Sequence, residues 1–337
     1  MKLQKPMMCA ALLALSASFT ACDDETTLDE ATLRSLRHQQ ELVEELTEQP
    51  YGWKVTYFPN TDSLLFSDLN RKIGPYDYDP VDMGYGGYFY TMEFSKEGSV
   101  KMRSDKNRLT YTRPQTSEYQ VKQGMMTQLS FTTYNYIHEL VNGQLMGSSD
   151  FFYKGKNIDH LPIYTTGKYI EPAREYVLFE PIAHAEDTLL LEKAQANRRF
   201  FEDMSNPQLS IRQGDRVFFE SNYPVKSAER AEAMRNRRYA VFLFEKVKNP
   251  TGDFPKEANA LGSGYVGTDT GLTFYPGLRL NSKYIFNDFE RVGDKFVCEL
   301  VRVFSVEYKR YYYSTKHRHP EGEFTGMRAE IYNVPKD

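Results

Sequence analysis

Four short segments of the chain carry residue types that bind metals or phosphates in other proteins. The first is His138-Glu139-Leu140-Val141-Asn142, which matches the zinc-protease pattern H-E-x-x-H except at its last position. The two histidines of that pattern are zinc ligands one helical turn apart, and Asn142 is a poor donor for zinc. The segment therefore does not support protease chemistry.

The second segment, Gly262-Ser263-Gly264-Tyr265-Val266-Gly267, matches the dinucleotide-binding pattern G-x-G-x-x-G. That pattern binds a pyrophosphate only where it joins a buried strand to the N-terminus of a helix. Here residues 249–271 are rich in Gly, Pro, Asp and Asn, and a strand pattern follows them. We expect a flexible surface loop.

Acidic residues crowd a third segment, where Asp77, Asp79 and Asp82 lie among glycines and prolines. Carboxylates in a loop are ligands for calcium, but the EF-hand spacing fails because Asp82 stands where that loop needs Gly. We expect solvated turn residues, with a non-standard calcium site as the alternative.

Two histidines form the fourth segment. His317 and His319 would share one face of a strand, and Glu321 or Glu323 would complete a site for a metal or haem iron. Because Arg318 between them repels a cation, we expect an exposed polar end of a strand. No metal or cofactor is predicted for the chain.

The usual motifs of nucleophilic catalysis and phosphate binding are absent from the sequence. It has no G-x-S-x-G elbow, no Ser-x-x-Lys pair and no Gly-x4-Gly-Lys loop. Glycosidase carboxylates are brought together by the fold and leave no fixed spacing, so a hydrolase with dispersed carboxylates stays an alternative. We do not expect an enzyme.

The N-terminus has the pattern of a secretory leader. Lys2 and Lys5 precede an apolar stretch over 7–21, which is too short for a stable membrane-spanning helix. Residues 1–21 are therefore predicted to be a signal peptide. Two fates are open for the cysteine that follows the leader. It is either incidental to ordinary secretory cleavage or modified as the next residues indicate.

Phe19-Thr20-Ala21-Cys22 resembles the lipobox of bacterial lipoproteins, in which the cysteine is acylated and becomes the first residue. Lipidation of Cys22 would anchor the protein to the outer-membrane lipid. The acidic Asp23-Asp24-Glu25 resembles the export signal of Bacteroidetes surface lipoproteins. A solvated linker is the alternative interpretation of these charges. We expect a lipid-anchored outer-membrane protein exposed at the cell surface.

Charge and cysteine content exclude some classes of protein. The net charge is −4 and becomes −6 without Lys2 and Lys5, and there is no basic run, so nucleic acid is not an expected partner. Once Cys9 leaves with the leader and Cys22 is lipidated, Cys298 is the one remaining cysteine. An internal disulfide is therefore not expected.

Aromatic content and periodicity define the predicted fold class. The chain has 25 Tyr and 22 Phe against one Trp, and polar and apolar residues alternate over 53–57, 88–94 and 100–103. We expect a mainly β protein with antiparallel sheets, sandwich or barrel-like. The predicted organisation is a lipidated tether and N-terminal helix over 22–50, a first β-rich half over 51–204 and a second over 205–337.

The remaining elements are predicted from the same patterns. Leu33, Leu36, Val43 and Leu46 indicate one amphipathic helix packed on the sheet. A short charged helix is expected over 227–237. Further strands are predicted at 107–113, 117–122, 128–134, 174–180, 187–193, 239–246, 272–276, 284–289 and 295–307, and 309–315 is a further candidate.

The segment Pro50-Tyr51-Gly52-Trp53-Lys54 resembles a family of Bacteroidetes outer-membrane lipoproteins classed as a domain of unknown function. Supporting segments lie at 86–105, 129–140, 187–199 and 271–287. The family's Gly-Asp-aromatic-Glu-Phe cluster corresponds to either 149–152 or 175–179. The resemblance implies a gene beside a starch-utilisation-like uptake system, with a TonB-dependent transporter and its lipoproteins as partners.

The predicted function is that of a ligand- or partner-binding accessory of such a nutrient uptake system. Aromatic side chains stack on sugars or porphyrins without needing charge. The candidate binding residues are Tyr76, Tyr78, Tyr85 and Tyr88, and a glycan is a candidate ligand. A structural adhesin or scaffold lipoprotein is the alternative from another class.

Overall fold

The fold is taken from a computed structural model. It describes residues 30–62, 86–141, 145, 147–166, 173–185, 187–226, 239–245 and 260–335. None of the helices in these ranges combines the length and apolar character needed to span a membrane.

The first half of the chain forms a ring of eight antiparallel strands, here called the first ring. The strands follow one another in chain order, and β1 closes the ring by pairing with both β2 and β8. Their bounds are Trp53–Asp62 (β1), Tyr88–Phe94 (β2), Ser99–Ser104 (β3), Gln115–Gln123 (β4), Thr127–Phe131 (β5), Asp150–Lys156 (β6), Pro162–Thr165 (β7) and Ala173–Pro181 (β8).

The interior of the first ring is filled by aromatic side chains. In β3, Val100 and Met102 are buried while Lys101 between them is exposed, as the alternation predicts. The Phe179 ring lies 4.7 Å from that of Tyr164 and 5.8 Å from that of Trp53 between centroids. Many of the abundant aromatic residues of this half thus serve core packing.

The second half also closes into an antiparallel ring of eight strands, the second ring, and carries one additional strand. Its order is β14, β13, β12, β11, β10, β9, β17, β15, with β14 pairing back to β15 and β16 added to β15. The bounds are Pro207–Gln213 (β9), Arg216–Lys226 (β10), Ala240–Glu245 (β11), Ala260–Gly267 (β12), Gly271–Arg279 (β13), Ile285–Val292 (β14), Lys295–Ser305 (β15), Arg310–Thr315 (β16) and Glu323–Asn333 (β17).

The second ring forks at β15. Pairing with β14 covers residues 295–297 of β15, and pairing with β16 covers residues 300–305. Since β17 occupies the opposite edge of β15, β14 and β16 leave it on the same side and diverge. This fork, between the first part of β14 and the free edge of β16, interrupts the otherwise regular ring.

These two rings confirm the predicted fold class of antiparallel, barrel-like sheets with a few short helices. The predicted boundaries of two halves as separate domains stay a prediction. The predicted helix over 227–237 lies outside the described residues.

Two predicted strands are helices instead. Residues 107–113 contain α2 (Arg108–Thr112), which Asn107 caps by accepting hydrogen bonds from the backbone of Leu109 and Thr110. Residues 187–193 open α3 (Asp187–Glu202). The run of three leucines at its start hides the helical period, which the buried Leu191, Ala194 and Phe201 reveal.

The predicted surface loop at 262–267 is wrong. Those residues belong to β12, a strand that is buried along its whole length. Gly267 allows close contact with the helix α3, because a Cβ there would lie 2.1 Å from the carbonyl oxygen of Ala194. This glycine therefore serves packing.

The N-terminal helix is confirmed as α1 (Glu30–Thr47), but its predicted packing is only half right. Leu42 and Leu46 are buried against the first ring, and the Leu46 carbonyl accepts a hydrogen bond from Trp53 Nε1 at 2.9 Å. Leu33 and Leu36 are each 48% exposed. Only the C-terminal end of α1 packs on the ring.

A buried ion pair joins the rings through α3. Arg198 Nη1 lies 2.5 Å from Asp105 Oδ2, and the guanidinium stacks 4.6 Å from the ring centre of Tyr239. Burial alone would lower the pKa of Arg198, but the Asp105 carboxylate raises it above its usual value. Asp105 follows β3, Arg198 lies on α3 and Tyr239 precedes β11, so the pair connects both rings.

Candidate functional site

Three adjoining cavities follow the seam between the rings into the fork. Their volumes are about 460, 200 and 440 Å³. The first two share Asp288 and Arg318 as lining residues, and the last two share Ile285 and Tyr313. We call the three together the seam groove, with an inner end, a middle and an outer end in that order.

A chain of alternating charges lines the inner end. Lys54 Nζ lies 2.6 Å from Glu180 Oε1, and Glu180 Oε2 lies 3.1 Å from Arg318 Nη2. Arg318 Nε continues the chain to Asp288 Oδ2 at 2.8 Å. Lys54 also contacts Asp269 at 3.3 Å. The chain crosses the seam twice, because Lys54 and Glu180 belong to the first ring and the other residues to the second.

The strands explain why these side chains meet. Lys54 of β1 and Glu180 of β8 are directly opposite each other in the register of the first ring, so their side chains share one face. Asp288 lies in β14 at the base of the fork, where its Oδ1 accepts a hydrogen bond from Thr273 Oγ1 at 2.6 Å. Arg318 reaches it from the turn after β16.

The charges of this chain are stabilised by one another. Burial alone would raise the pKa of Glu180, but Arg318 and Lys54 lower it below the usual value. Burial would likewise raise the pKa of Asp288, and Arg318 again reverses the direction. Both carboxyl groups are therefore ionised at neutral pH.

Both histidines predicted at an exposed strand end lie at the inner end of the groove, in the turn after β16. His319 Nε2 is 2.7 Å from Asp159 Oδ1, and its Nδ1 is 3.1 Å from Glu321 Oε1. His317 faces Glu290 at 3.9 Å. The expected exposed end is wrong, because hydrogen bonds to the first ring fold this turn inward.

The alternative metal site built from these histidines is not assembled. Glu323 forms an ion pair with Arg302 instead of approaching His317 or His319. Within the described residues, no group of three or more His, Cys, Asp or Glu side chains could hold a metal ion.

The middle of the groove is aromatic and contains a buried hydroxyl group. The rings of Tyr176 and Tyr275 stack 4.3 Å apart at an angle of 7°. Thr315, which lines this part, is 4% exposed, and its hydroxyl oxygen lacks a hydrogen-bond partner in the described part of the chain. Thr56 at the inner end is 7% exposed, and its hydroxyl oxygen also lacks a hydrogen-bond partner among the described residues.

The outer end opens beside the free edge of β16. Tyr311 and Tyr313 line one side and Lys283 and Ile285 the other. Lys283 Nζ lies 5.3 Å from the ring centre of Tyr313, a cation–π distance. Arg310 completes this end, so it combines tyrosine rings with two cations.

Of the four predicted binding tyrosines, Tyr88 is the one that the structure describes, and it does not line this groove. Tyr88 lies in β2, is 5% exposed and packs against Tyr239 at 6.1 Å between ring centres. Tyr76, Tyr78 and Tyr85 lie outside the described residues, as does Cys22. Their predicted roles stay predictions.

Of the other segments singled out in the sequence, the acidic loop falls outside the described residues and the protease-like motif falls within them. The acidic loop at 77–82 lies outside the described residues. His138–Leu140 forms a single 3₁₀ turn, in which His138 Nδ1 lies 3.0 Å from Asn135 Oδ1. Glu139 pairs with Lys106 at 2.5 Å. Both side chains of the protease-like motif have structural partners.

Sequence reasoning missed the charged residues of the groove. The patterns place Lys54 only in the Tyr-Gly-Trp-Lys segment, and Glu180 and Asp288 only in predicted strands. A usable signal is the position of Glu180, a charged residue directly after the apolar run 176–179.

Comparison with known proteins places the chain in a family. Residues 23–292 of the 337 match the family described as Domain of unknown function (DUF4302), so the chain belongs to that family. No curated protein and no solved structure matches the chain at a significant level. The family assignment carries no activity.

Proposed function

We propose that this chain is a lipid-anchored outer-membrane protein that binds a polar ligand in the seam groove, as an accessory of a TonB-dependent nutrient uptake system. The observation that carries the proposal is the groove itself. It extends from the charge chain at Lys54 and Arg318 to the tyrosines of β16. Concave sites with a few placed polar groups are the usual form of ligand sites.

The pKa directions at the inner end favour binding over hydrolysis. A general acid must hold a proton near neutral pH, which requires a raised carboxyl pKa. Glu180 and Asp288 have lowered pKa values because Arg318 lies between them. Neither of these two carboxyl groups is therefore suited to act as a general acid.

The anchor and the location rest on the sequence. Phe19-Thr20-Ala21-Cys22 and the acidic residues after it support acylation of Cys22 and export to the cell surface. Mass spectrometry of the native protein tests the acylation, and protease treatment of intact cells tests the exposure. An unmodified Cys22 or a protected chain would contradict this part of the proposal.

Ligand binding is tested by screening the purified full chain against glycans, haem and peptides. Tyr313→Ala removes a ring that lines the groove, whereas Tyr308→Ala removes one that is 51% exposed on the same hairpin and does not line it. We expect binding to be lost or weakened by the first change alone. Failure of every ligand class to bind would overturn the proposal.

A scaffold or adhesin is the second candidate, and the hairpin between β15 and β16 favours it. Phe304, Val306 and Tyr308 at its end are 49%, 81% and 51% exposed. Exposed apolar residues close together are typical of protein contact sites. Incorporation of the native protein into fibres or matrix, without any small ligand, would support this candidate.

A further inference from the structure

The two ends of the seam groove differ in the sign of their charge. Five carboxylates line the inner end, and Lys54 and Arg318 are its two Lys or Arg side chains. Each carboxylate has a partner, but the acids outnumber these cations. Among the described residues, those that line the outer end include Lys283 and Arg310 and no acid. The groove therefore attracts a positive group at one end and a negative group at the other.

Backbone hydrogen-bonding groups are available along the same path. Among the described residues, β16 pairs with β15 and with no other strand. Its second edge follows the groove past Tyr311 and Tyr313. An edge strand presents unpaired N–H and C=O groups to which an extended chain can be added.

We propose that the ligand of the seam groove is a short extended peptide, which adds to the free edge of β16 with its amino terminus at the inner end and its carboxyl terminus beside Lys283. This inference rests on the proposed function and names its ligand class. A chain that pairs with the six residues of β16 would be about 4–6 residues long at roughly 3.3 Å per residue. A neutral oligosaccharide uses neither the opposite charges nor the strand edge.

Isothermal titration of the full chain tests the inference. The probe is Ala-Thr-Val-Tyr-Thr-Ala with free termini, compared with its N-acetylated form, its C-amidated form and maltohexaose as the neutral ligand. We expect each terminal block to weaken binding by about tenfold, because each removes a charge-assisted interaction. We expect maltohexaose not to bind.

The exposed Lys283 provides the matched variant. Lys283→Glu reverses the charge at the outer end without touching a buried group, and Lys309→Glu makes the same change at an exposed site in the β15–β16 hairpin. We expect Lys283→Glu to weaken binding of the peptide with free termini, so that C-amidation no longer lowers the affinity. We expect Lys309→Glu to have neither effect. Peptide binding that ignores both terminal blocks would overturn the inference.

The outcomes separate this inference from the function on which it rests. If maltohexaose binds, Tyr313→Ala abolishes that binding and the peptides do not bind, the groove is a ligand site and the peptide inference is wrong. If no ligand of any class binds, both fail. A peptide that binds equally well to Tyr313→Ala lies outside the groove and contradicts the inference.

Discussion

The two rings use the same antiparallel pairing and differ in how they close. In the first ring every strand pairs with its neighbours in chain order, and aromatic side chains fill the centre. In the second ring β15 exchanges one partner for another along the same edge. The fork that results opens into the seam groove.

The interrupted pairing thus leaves a concave space that the regular closure of the first ring does not. Charged residues follow the same division. The Lys54–Glu180–Arg318–Asp288 chain lies at the seam, whereas Trp53, Phe179 and their neighbours form the centre of the first ring. Substitutions in the two regions should therefore differ in what they change.

The largest expected effect is that of removing an aromatic side chain from the interior of the first ring. Phe179→Ala removes a fully buried side chain that contacts Tyr164, Trp53 and Phe94. We expect the free energy of unfolding to fall by about 3–5 kcal/mol, measured by urea denaturation. Phe304→Ala, at a site 49% exposed, should change it by less than about 0.5 kcal/mol. Equal effects of the two changes would show that the interior is not packed as described.

Breaking the charge chain at the seam should have the next largest effect. Arg318→Met leaves Glu180 and Asp288 without the cation between them, and we expect a loss of about 3 kcal/mol. Arg310→Met, at an exposed site that forms no ion pair within the described residues, is the control. If the urea midpoint of Arg318→Met matches that of the control, the chain of ion pairs does not stabilise the seam.

Close packing of α3 on β12 predicts a smaller loss. Gly267→Ala places a methyl group against the Ala194 carbonyl oxygen, and we expect about 1–3 kcal/mol of destabilisation. Gly124→Ala, where a methyl group would meet no atom within 4 Å, should be nearly neutral. A neutral Gly267→Ala would mean that α3 moves away without cost, and thermal denaturation distinguishes these results.

The smallest expected effect is a dependence of stability on pH from His317. Burial lowers the pKa of His317, although the carboxylates of Asp288, Glu290 and Glu180 oppose this and Arg318 adds to it. Below the usual pKa of 6.5 the unfolded chain binds a proton that the folded chain does not.

Stability from this residue is therefore present in full above pH 6.5 and is lost as the pH falls toward the lowered pKa. The slope should not exceed about 1.4 kcal/mol per pH unit. His317→Gln should flatten the curve between pH 7 and pH 5, and His38→Gln, on the exposed face of α1, should not. An unchanged slope in His317→Gln would show that another group titrates.

Local periodicity was sufficient to predict most of the first ring. In the strands at 53–57 and 88–94 the aromatic residues alternate with polar ones or form continuous buried runs, which is what a closed sheet requires. The strand predicted at 187–193 is wrong because Leu189, Leu190 and Leu191 are compatible with the period of a strand and with that of a helix. The helix is decided by residues further along, where Ala194 and Phe201 face β12 and β13.

The candidate site could not be predicted because it is made by residues far apart in the chain. Lys54 and Asp269 are 215 positions apart, and no spacing in the sequence relates them. The fork also depends on which of two strands pairs with β15, a choice that local patterns do not encode. What the sequence did predict about function concerns the leader and four tyrosines, and of these residues Tyr88 is the one that the structure describes.

The central claim is that the seam groove binds the ligand and that the interior of the first ring does not. Hydrogen–deuterium exchange of the full chain, with and without the tightest ligand from the screen, tests it directly. We predict slower exchange in residues 282–290 and 310–319, with no change in 99–131. Slower exchange confined to the first ring or to α1 would contradict the account.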